Sequence, residues 1–281
     1  MKPLVTIITA SYNYAQYITY TIESILNQSY GNWEYLIIDD GSKDNSLDII
    51  KNYCSKNEKI KLLTHPNNEN RGLVETLVLG IGQAKGEYIV FVESDDFIAE
   101  DYIEKKLAFF MQNPEVKLIC NPVNLVFDKT PSENFIRYID NVNKYWTTHS
   151  VPHRLNDVIS LFNCIPTFSC VMLKTSLIKE CDFNSPKPAW LDWFLWGQIA
   201  NEMVYNYPEK LTYFRIHNDS YINLDLSIRD YLSTYNFYKE FYKIIPIPDD
   251  ILNVIKFRIK QILRLIKYKF LIIENEVFRR K

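Results

Sequence analysis

Residues 88–96 read Tyr88-Ile89-Val90-Phe91-Val92-Glu93-Ser94-Asp95-Asp96, a run of β-branched and aromatic side chains that ends directly in carboxylates. The apolar stretch is short and follows the turn signal Lys85-Gly86-Glu87, which predicts a buried strand. Carboxylates crowded at a strand's end repel one another and raise each other's pKa, so they require a cation or a cationic partner. The competing reading is a solvated loop in which Asp96 or Asp101 caps a helix from Tyr102. A second run, Trp33-Glu34-Tyr35-Leu36-Ile37-Ile38, also ends in acids, Asp39-Asp40, ahead of Gly41-Ser42. Ligands of open α/β sheets bind beyond the carboxyl ends of the strands, so two acidic strand ends predict one site on one rim.

The surrounding sequence supplies the rest of such a sheet. Leu4 to Ile8 reads as a strand, and Tyr14, Tyr17, Ile18, Ile22, Ile25 and Leu26 recur at helical spacing after it. Helices over 47–54, 73–84 and 102–111 and strands over 59–63 and 116–120 continue the alternation. Parallel pairing with right-handed crossovers follows, hence an α/β doubly wound sheet. Asp44-Asn45-Ser46 offers capping oxygens to the 47–54 helix. Residues 121–152 have weak periodicity and read as a long loop or lid. A further strand is expected at 166–173, a strongly aromatic helix from Ala189 to Trp196, and a strand at 211–216.

Composition excludes several classes. With 281 residues, 47% hydrophobic and 15% aromatic, the chain is globular. Lys plus Arg (32) nearly balances Asp plus Glu (34), which argues against a nucleic-acid partner. Cys54, Cys120, Cys164, Cys170 and Cys181 are odd in number and lack a C-x-x-C pair, as expected of reduced thiols in a cytoplasmic protein. The Leu4–Ile8 stretch is too short for a signal peptide or a spanning helix. The first β-α turn contains no glycine and no G-x-x-x-x-G-K-[ST] motif is present, against a dinucleotide dehydrogenase and a P-loop enzyme.

Two further features carry chemistry. Asp192 is the only charge among Trp190, Trp193 and Trp196, so desolvation raises its pKa toward a general base's range; the alternative is an aspartate that starts the helix. Arg215 and His217, ahead of a polar turn, either reach phosphates or face solvent. From Asp225 onward the chain reads as helix. Ile251, Ile255, Ile259, Ile262, Ile266, Phe270 and Ile273 form an apolar stripe, and residues 251–281 carry nine Lys or Arg against two Glu. Such a helix either packs on the preceding domain or lies on an anionic membrane surface, and it holds too many charges to span one.

The stretches Val5-Thr6-Ile7-Ile8-Thr9-Ala10-Ser11-Tyr12-Asn13, Gln28-Ser29-Tyr30, Ile37-Ile38-Asp39-Asp40-Gly41-Ser42-Lys43-Asp44, Asn70-Arg71-Gly72 and Ala84-Lys85-Gly86-Glu87 occur in an order and spacing that resembles the family 2 glycosyltransferases. Weaker matches reach to about residue 220, through Thr167, Asp192, the Tyr213 to His217 segment and Ser220. The resemblance implies the GT-A fold, a Rossmann-like and mostly parallel α/β sheet. It also implies an inverting transferase using a nucleotide-sugar donor, most often UDP-linked, and an acceptor glycan or lipid-linked hydroxyl. On it, Ala10, Ser11 and Tyr12 line the nucleoside pocket, Asp40 contacts the base, and Arg71, Glu93 and Ser94 belong to the nucleotide site. Asp95 becomes the leading ligand for a divalent metal, Mn²⁺ or Mg²⁺, with Asp96 beside it. Asp192 matches the proposed base, and Thr167, Arg215 and His217 are candidate phosphate or substrate contacts. Two departures stand out: Glu93 replaces the usual aspartate, and Thr76-Leu77 stands where many members have Arg-Asn. The serious rival is a non-catalytic nucleotide-sugar-binding subunit of an assembly complex. The expected organisation is a transferase domain over 1–222, its nucleotide-binding part about 1–120 and its acceptor part about 121–222, followed by a basic helical extension over 223–281. A glycan-assembly role on the inner face of a cell membrane would fit that extension.

Overall fold

The computed structural model describes residues 2–148, 151–159, 163–185, 187, 190–217, 231–245 and 251–279. In chain order the elements are β1 (Val5–Ser11), α1 (Ile18–Leu26), β2 (Trp33–Asp39), α2 (Ser46–Lys56), β3 (Ile60–Thr64), α3 (Leu73–Gln83), β4 (Tyr88–Phe91) and β5 (Phe97–Ile98). They continue as α4 (Tyr102–Gln112), β6 (Leu118–Cys120), β7 (Val123–Phe127), α5 (Glu133–Thr148), β8 (His153–Arg154), α6 (Asn156–Ile159), β9 (Val171–Lys174) and α7 (Thr175–Lys179). The last are α8 (Leu191–Gln198), β10 (Met203–Asn206), β11 (Thr212–Ile216), α9 (Tyr231–Ile244) and α10 (Ile251–Arg279).

The main sheet runs β3-β2-β1-β4-β9-β6-β10-β8, and a smaller one runs β5-β11-β7. Parallel pairing holds for β1 with β2 and β4, for β2 with β3 and for β6 with β10, as the β-α alternation requires. β9 runs antiparallel between β4 and β6, so the sheet is mixed. Register fixes the rim: Ser11 lies opposite Asp39, and Ile8 opposite Phe91. The acidic ends of β2 and β4 therefore leave the sheet on the same side. Both faces of the central strands are covered: Ile7, Tyr35, Ile37 and Val90 on one, and Ile8, Leu36, Ile38 and Ile89 on the other, are sealed from solvent.

Two expectations change. Residues 121–152 are not a structureless lid: β7 pairs with β11, and α5 buries Ile139, Val142, Asn143 and Trp146. The apolar positions that make this helix amphipathic are separated by Asn and Asp residues, which hid the 3.6-residue period. Residues 166–173 are not one strand either. A 3₁₀ turn at Phe168–Cys170 precedes β9, and it is capped by the Thr167 hydroxyl accepting from Ser169 N at 3.2 Å.

Contacts divide the chain into two compact units. The first comprises residues 1–153, 165–180 and 203–216 and holds both sheets apart from Arg154 of β8. The second gathers residues 154–164, 181–202 and 217–281. Its core is aromatic: Trp193 lies 5.1 Å from Phe241, and Phe237 stacks on Phe241 at 5.3 Å between ring centroids. Gly197 of α8 lies against the Phe241 ring of α9, where a Cβ would collide. Cys120, Cys164 and Cys170 are buried thiols, while Cys54 and Cys181 are half-buried.

Candidate active site

The rim is assembled by short polar side chains that bond backbone. Asn13 adopts a left-handed conformation (φ 58), which Asn tolerates, and its Oδ1 accepts from Lys43 N at 2.7 Å. Ser42 Oγ accepts from Asn13 N at 3.0 Å, and Ser46 Oγ from Tyr14 N at 3.0 Å. The loops after β1 and β2 are thus pinned together. Asp39, fully buried, accepts from Ser42 N (2.9 Å) and Ser42 Oγ (2.6 Å). Gly41 sits at φ +75, and a Cβ there would lie 2.7 Å from Asn68 O, so only glycine lets the 68–70 loop approach.

Asp40 is also buried, and both its oxygens face backbone donors, Arg71 N at 2.7 Å and Gly72 N at 2.9 Å. It therefore holds the 69–72 loop in place; the base contact expected of it has to share those oxygens. The Arg71 side chain is exposed and paired with Glu69. Buried His65 lies 3.5 Å from Asp40 Oδ1 and 3.0 Å from Thr76 Oγ1. Thr76, one of the two departures, thus completes a buried polar cluster with His65. Of the nucleoside-pocket residues, Ala10 is half-buried, Ser11 is buried and Tyr12 is 43% exposed.

The second acidic cluster is braced more heavily. Glu93 N donates to Ser169 Oγ at 2.9 Å, and the Thr167 hydroxyl bonds Glu93 Oε2 and lies 2.9 Å from Asp96 Oδ2. Asp96 Oδ1 accepts from Arg215 N at 3.0 Å, and its carbonyl accepts from Thr21 Oγ1 at 2.7 Å. Asp96 is wholly buried, and that burial, followed by the neighbouring Asp95 charge, pushes its carboxyl well up from the usual carboxylate range. Asp96, the expected second metal ligand, thus has both side-chain oxygens engaged by protein. A sealed side chain with both oxygens bonded to protein donors is a brace, whereas Asp95 beside it is half-buried. Ser94 is buried.

Arg215 serves the same brace. Its Nε donates to Asp95 O at 3.1 Å, and one terminal nitrogen lies 3.2 and 3.3 Å from the two Asp128 oxygens. The guanidinium also lies 5.1 Å from the Tyr17 and Tyr20 ring centres. These internal bonds engage Nε and one terminal nitrogen of the residue expected to contact phosphate. His217 is buried, and Ser220 lies outside the described residues. Sequence reasoning missed Ser169, Asp128 and Thr21, which act across 76, 87 and 75 positions of chain. Only Thr167, two residues before Ser169, gave a local signal.

Asp192 lies in the first turn of α8, where a negative charge meets the helix dipole and the backbone amides of Asp192 and Trp193 hydrogen-bond its carboxylate. It is half-buried, and Asn163 Nδ2 donates to its Oδ2 at 2.8 Å. Burial pushes its carboxyl up to about 6, with the Asn163 bond opposing. Asn163 carried no sequence signal.

Among the described residues, no group of three or more His, Cys, Asp or Glu is arranged to hold a metal ion. Mg²⁺ or Mn²⁺ bound through one or two carboxylates plus substrate phosphates needs no such group, and hard-oxygen Asp95 fits that mode.

The family profile described as glycosyl transferase family 2 matches residues 6–180. A glycosyltransferase of Haemophilus influenzae, itself uncharacterized, is 45% identical over 111 residues, 40% of this chain and 44% of that protein. The chain spans about half the length of several of the curated relatives it matches. Among solved structures, Staphylococcus aureus TarS 1–349 in complex with UDP-GlcNAc aligns with a TM-score of 0.62 at 18% identity, over 84% of this chain and 66% of that one. The mannosyltransferase PcManGT of Pyrobaculum calidifontis, in complex with GDP-Man and Mn²⁺, aligns with a TM-score of 0.67 at 16% identity, over 96% and 74%. At such identities the structural likeness speaks for the fold alone. Taken with the profile match, the parallel β1-β2-β4 core and the two acidic strand ends on one rim, it shows that the chain has the GT-A fold and belongs to glycosyl transferase family 2.

Proposed function

We propose that this protein is an inverting glycosyltransferase that moves a sugar from a nucleotide-sugar donor, UDP-linked by family habit, to an acceptor hydroxyl in polysaccharide or glycoconjugate assembly. The observation that carries the reading is the brace at the end of β4. Thr167, Ser169 and the Arg215 amide fix Glu93 and Asp96, and so position the half-buried Asp95 between them. A carboxylate held this rigidly suits a divalent ion bound jointly with a diphosphate. When bound, that ion supplies Lewis-acid stabilisation of the departing diphosphate.

The chain's own residues do the rest. Asp192, with Oδ2 held by Asn163, accepts the acceptor hydroxyl's proton on a carboxylate oxygen. The hydroxyl oxygen bonds the anomeric carbon as the sugar–phosphate bond breaks, its electron pair leaving with the diphosphate. One displacement inverts that centre. Glu93, longer than aspartate by a methylene, directs Oε2 to Thr167, which favours a supporting role within the donor site.

A thermal-shift screen of nucleotide sugars with Mn²⁺, paired with a transfer assay, tests the reading. We expect selective stabilisation by UDP-sugars, lost in Asp95→Ala. Binding without turnover on any acceptor would favour the non-catalytic subunit, and stabilisation by UDP unaffected by Mn²⁺ or by Asp95→Ala would overturn the metal role.

A further inference from the structure

Among the described residues, the apolar stripe of α10 is largely open to solvent. The helix meets α9 through the face that carries Phe257, Arg264 and Tyr268. Phe257 is buried 5.4 Å from the Tyr242 ring, Arg264 donates to Tyr242 OH at 2.9 Å, and Tyr268 lies 5.6 Å from Tyr238. On the other side, Ile255, Ile259, Ile262, Leu263, Ile266 and Phe270 are 50–61% exposed. At about 100° of turn per residue, these six occupy an arc of roughly 100°. Exposed cations border both edges: Arg258 and Lys269 on one, Lys256 and Lys267 on the other. From Ile251 to Ile272 there is no Asp or Glu.

We infer that α10 is a binding surface for anionic phospholipid. The helix lies in the plane of the headgroup layer, with Ile259, Ile266 and their neighbours among the upper acyl carbons and the bordering cations on lipid phosphates. Charge separates this occupant from a second copy of the chain. Pairing stripe against stripe would bring cationic borders face to face with no acid between 251 and 272 to neutralise them. Among the described residues no helix is long and apolar enough to cross a membrane, so the stripe lies on the bilayer. The surface stands apart from the transfer reaction, since lipid binding involves no sugar.

The test is flotation of the full chain with vesicles of phosphatidylglycerol and phosphatidylcholine in equal parts, against phosphatidylcholine alone. We expect binding to the anionic vesicles to be at least about tenfold tighter and to weaken as salt rises. The exposed-site pair Ile259→Glu with Ile266→Glu should float at least about tenfold less while keeping the parental melting temperature and UDP-induced shift. Lys256→Glu with Lys267→Glu should lower anionic binding alone. Three outcomes overturn the inference: equal flotation by parent and the Ile259/Ile266 variant, equal binding to the two vesicle types, or a parental dimer that this variant dissociates without any lipid binding by the parent.

Discussion

Two regions each hold a carboxylate that burial makes harder to ionise, and they use it differently. At the end of β4, Asp96 is sealed from solvent and its two side-chain oxygens accept from Thr167 and the Arg215 amide. At the start of α8, Asp192 is half-buried and shares one oxygen with Asn163. A raised pKa is thus common to the brace and the proposed base. The number of protein donors and the access left to a reacting group distinguish them.

The largest effect that would sharpen this contrast is kinetic. Asp192→Asn should lower the transfer rate about 10²- to 10⁴-fold while leaving the melting temperature and the UDP-induced shift near parental. Transfer at the parental rate would erase the distinction. Asp96→Ala should act on stability instead, because it orphans the buried Arg215 amide, at about 1–3 kcal/mol in denaturant unfolding, while the Thr167 hydroxyl keeps Glu93. A variant as stable as the parent would show that Asp96 braces nothing.

Acidity supplies the next comparison. On the proposed mechanism Asp192 acts as its carboxylate, and its folded pKa is raised to about 6, so transfer should be full above that pH. It should fall about tenfold for each pH unit below it, which a pH–rate profile reads directly. A profile flat down to pH 4 would remove the base. The smallest effect is expected at Asp128, an exposed carboxylate on the same Arg215. Its side chain is 38% exposed, so Asp128→Ala should cost under about 1 kcal/mol, and a larger loss would mean that the outer half of the brace is as important as the inner one.

Much of this was legible because it is local. Leu36-Ile37-Ile38 and Ile89-Val90-Phe91 are continuous apolar runs, and such runs between helical periods specify buried parallel strands. The acids that follow them lie at the rim for the same reason. Helix α5 was hidden because its buried positions are separated by polar residues that face outward. The tail, for which the sequence left two readings open, was legible only in part. Its conspicuous isoleucines point to water, while the packed face uses Phe257, Arg264 and Tyr268, whose aromatic and cation–π contacts do not register as an apolar stripe.

By itself the sequence determined the β-α alternation, the rim on which the acids gather and the family resemblance, since each depends on residues within a few positions of one another. Tertiary structure alone decided which acid is braced and which is accessible. Those roles depend on Thr167, Ser169 and Arg215 arriving from 71 to 120 residues away, and on burial, which no single side chain carries with it.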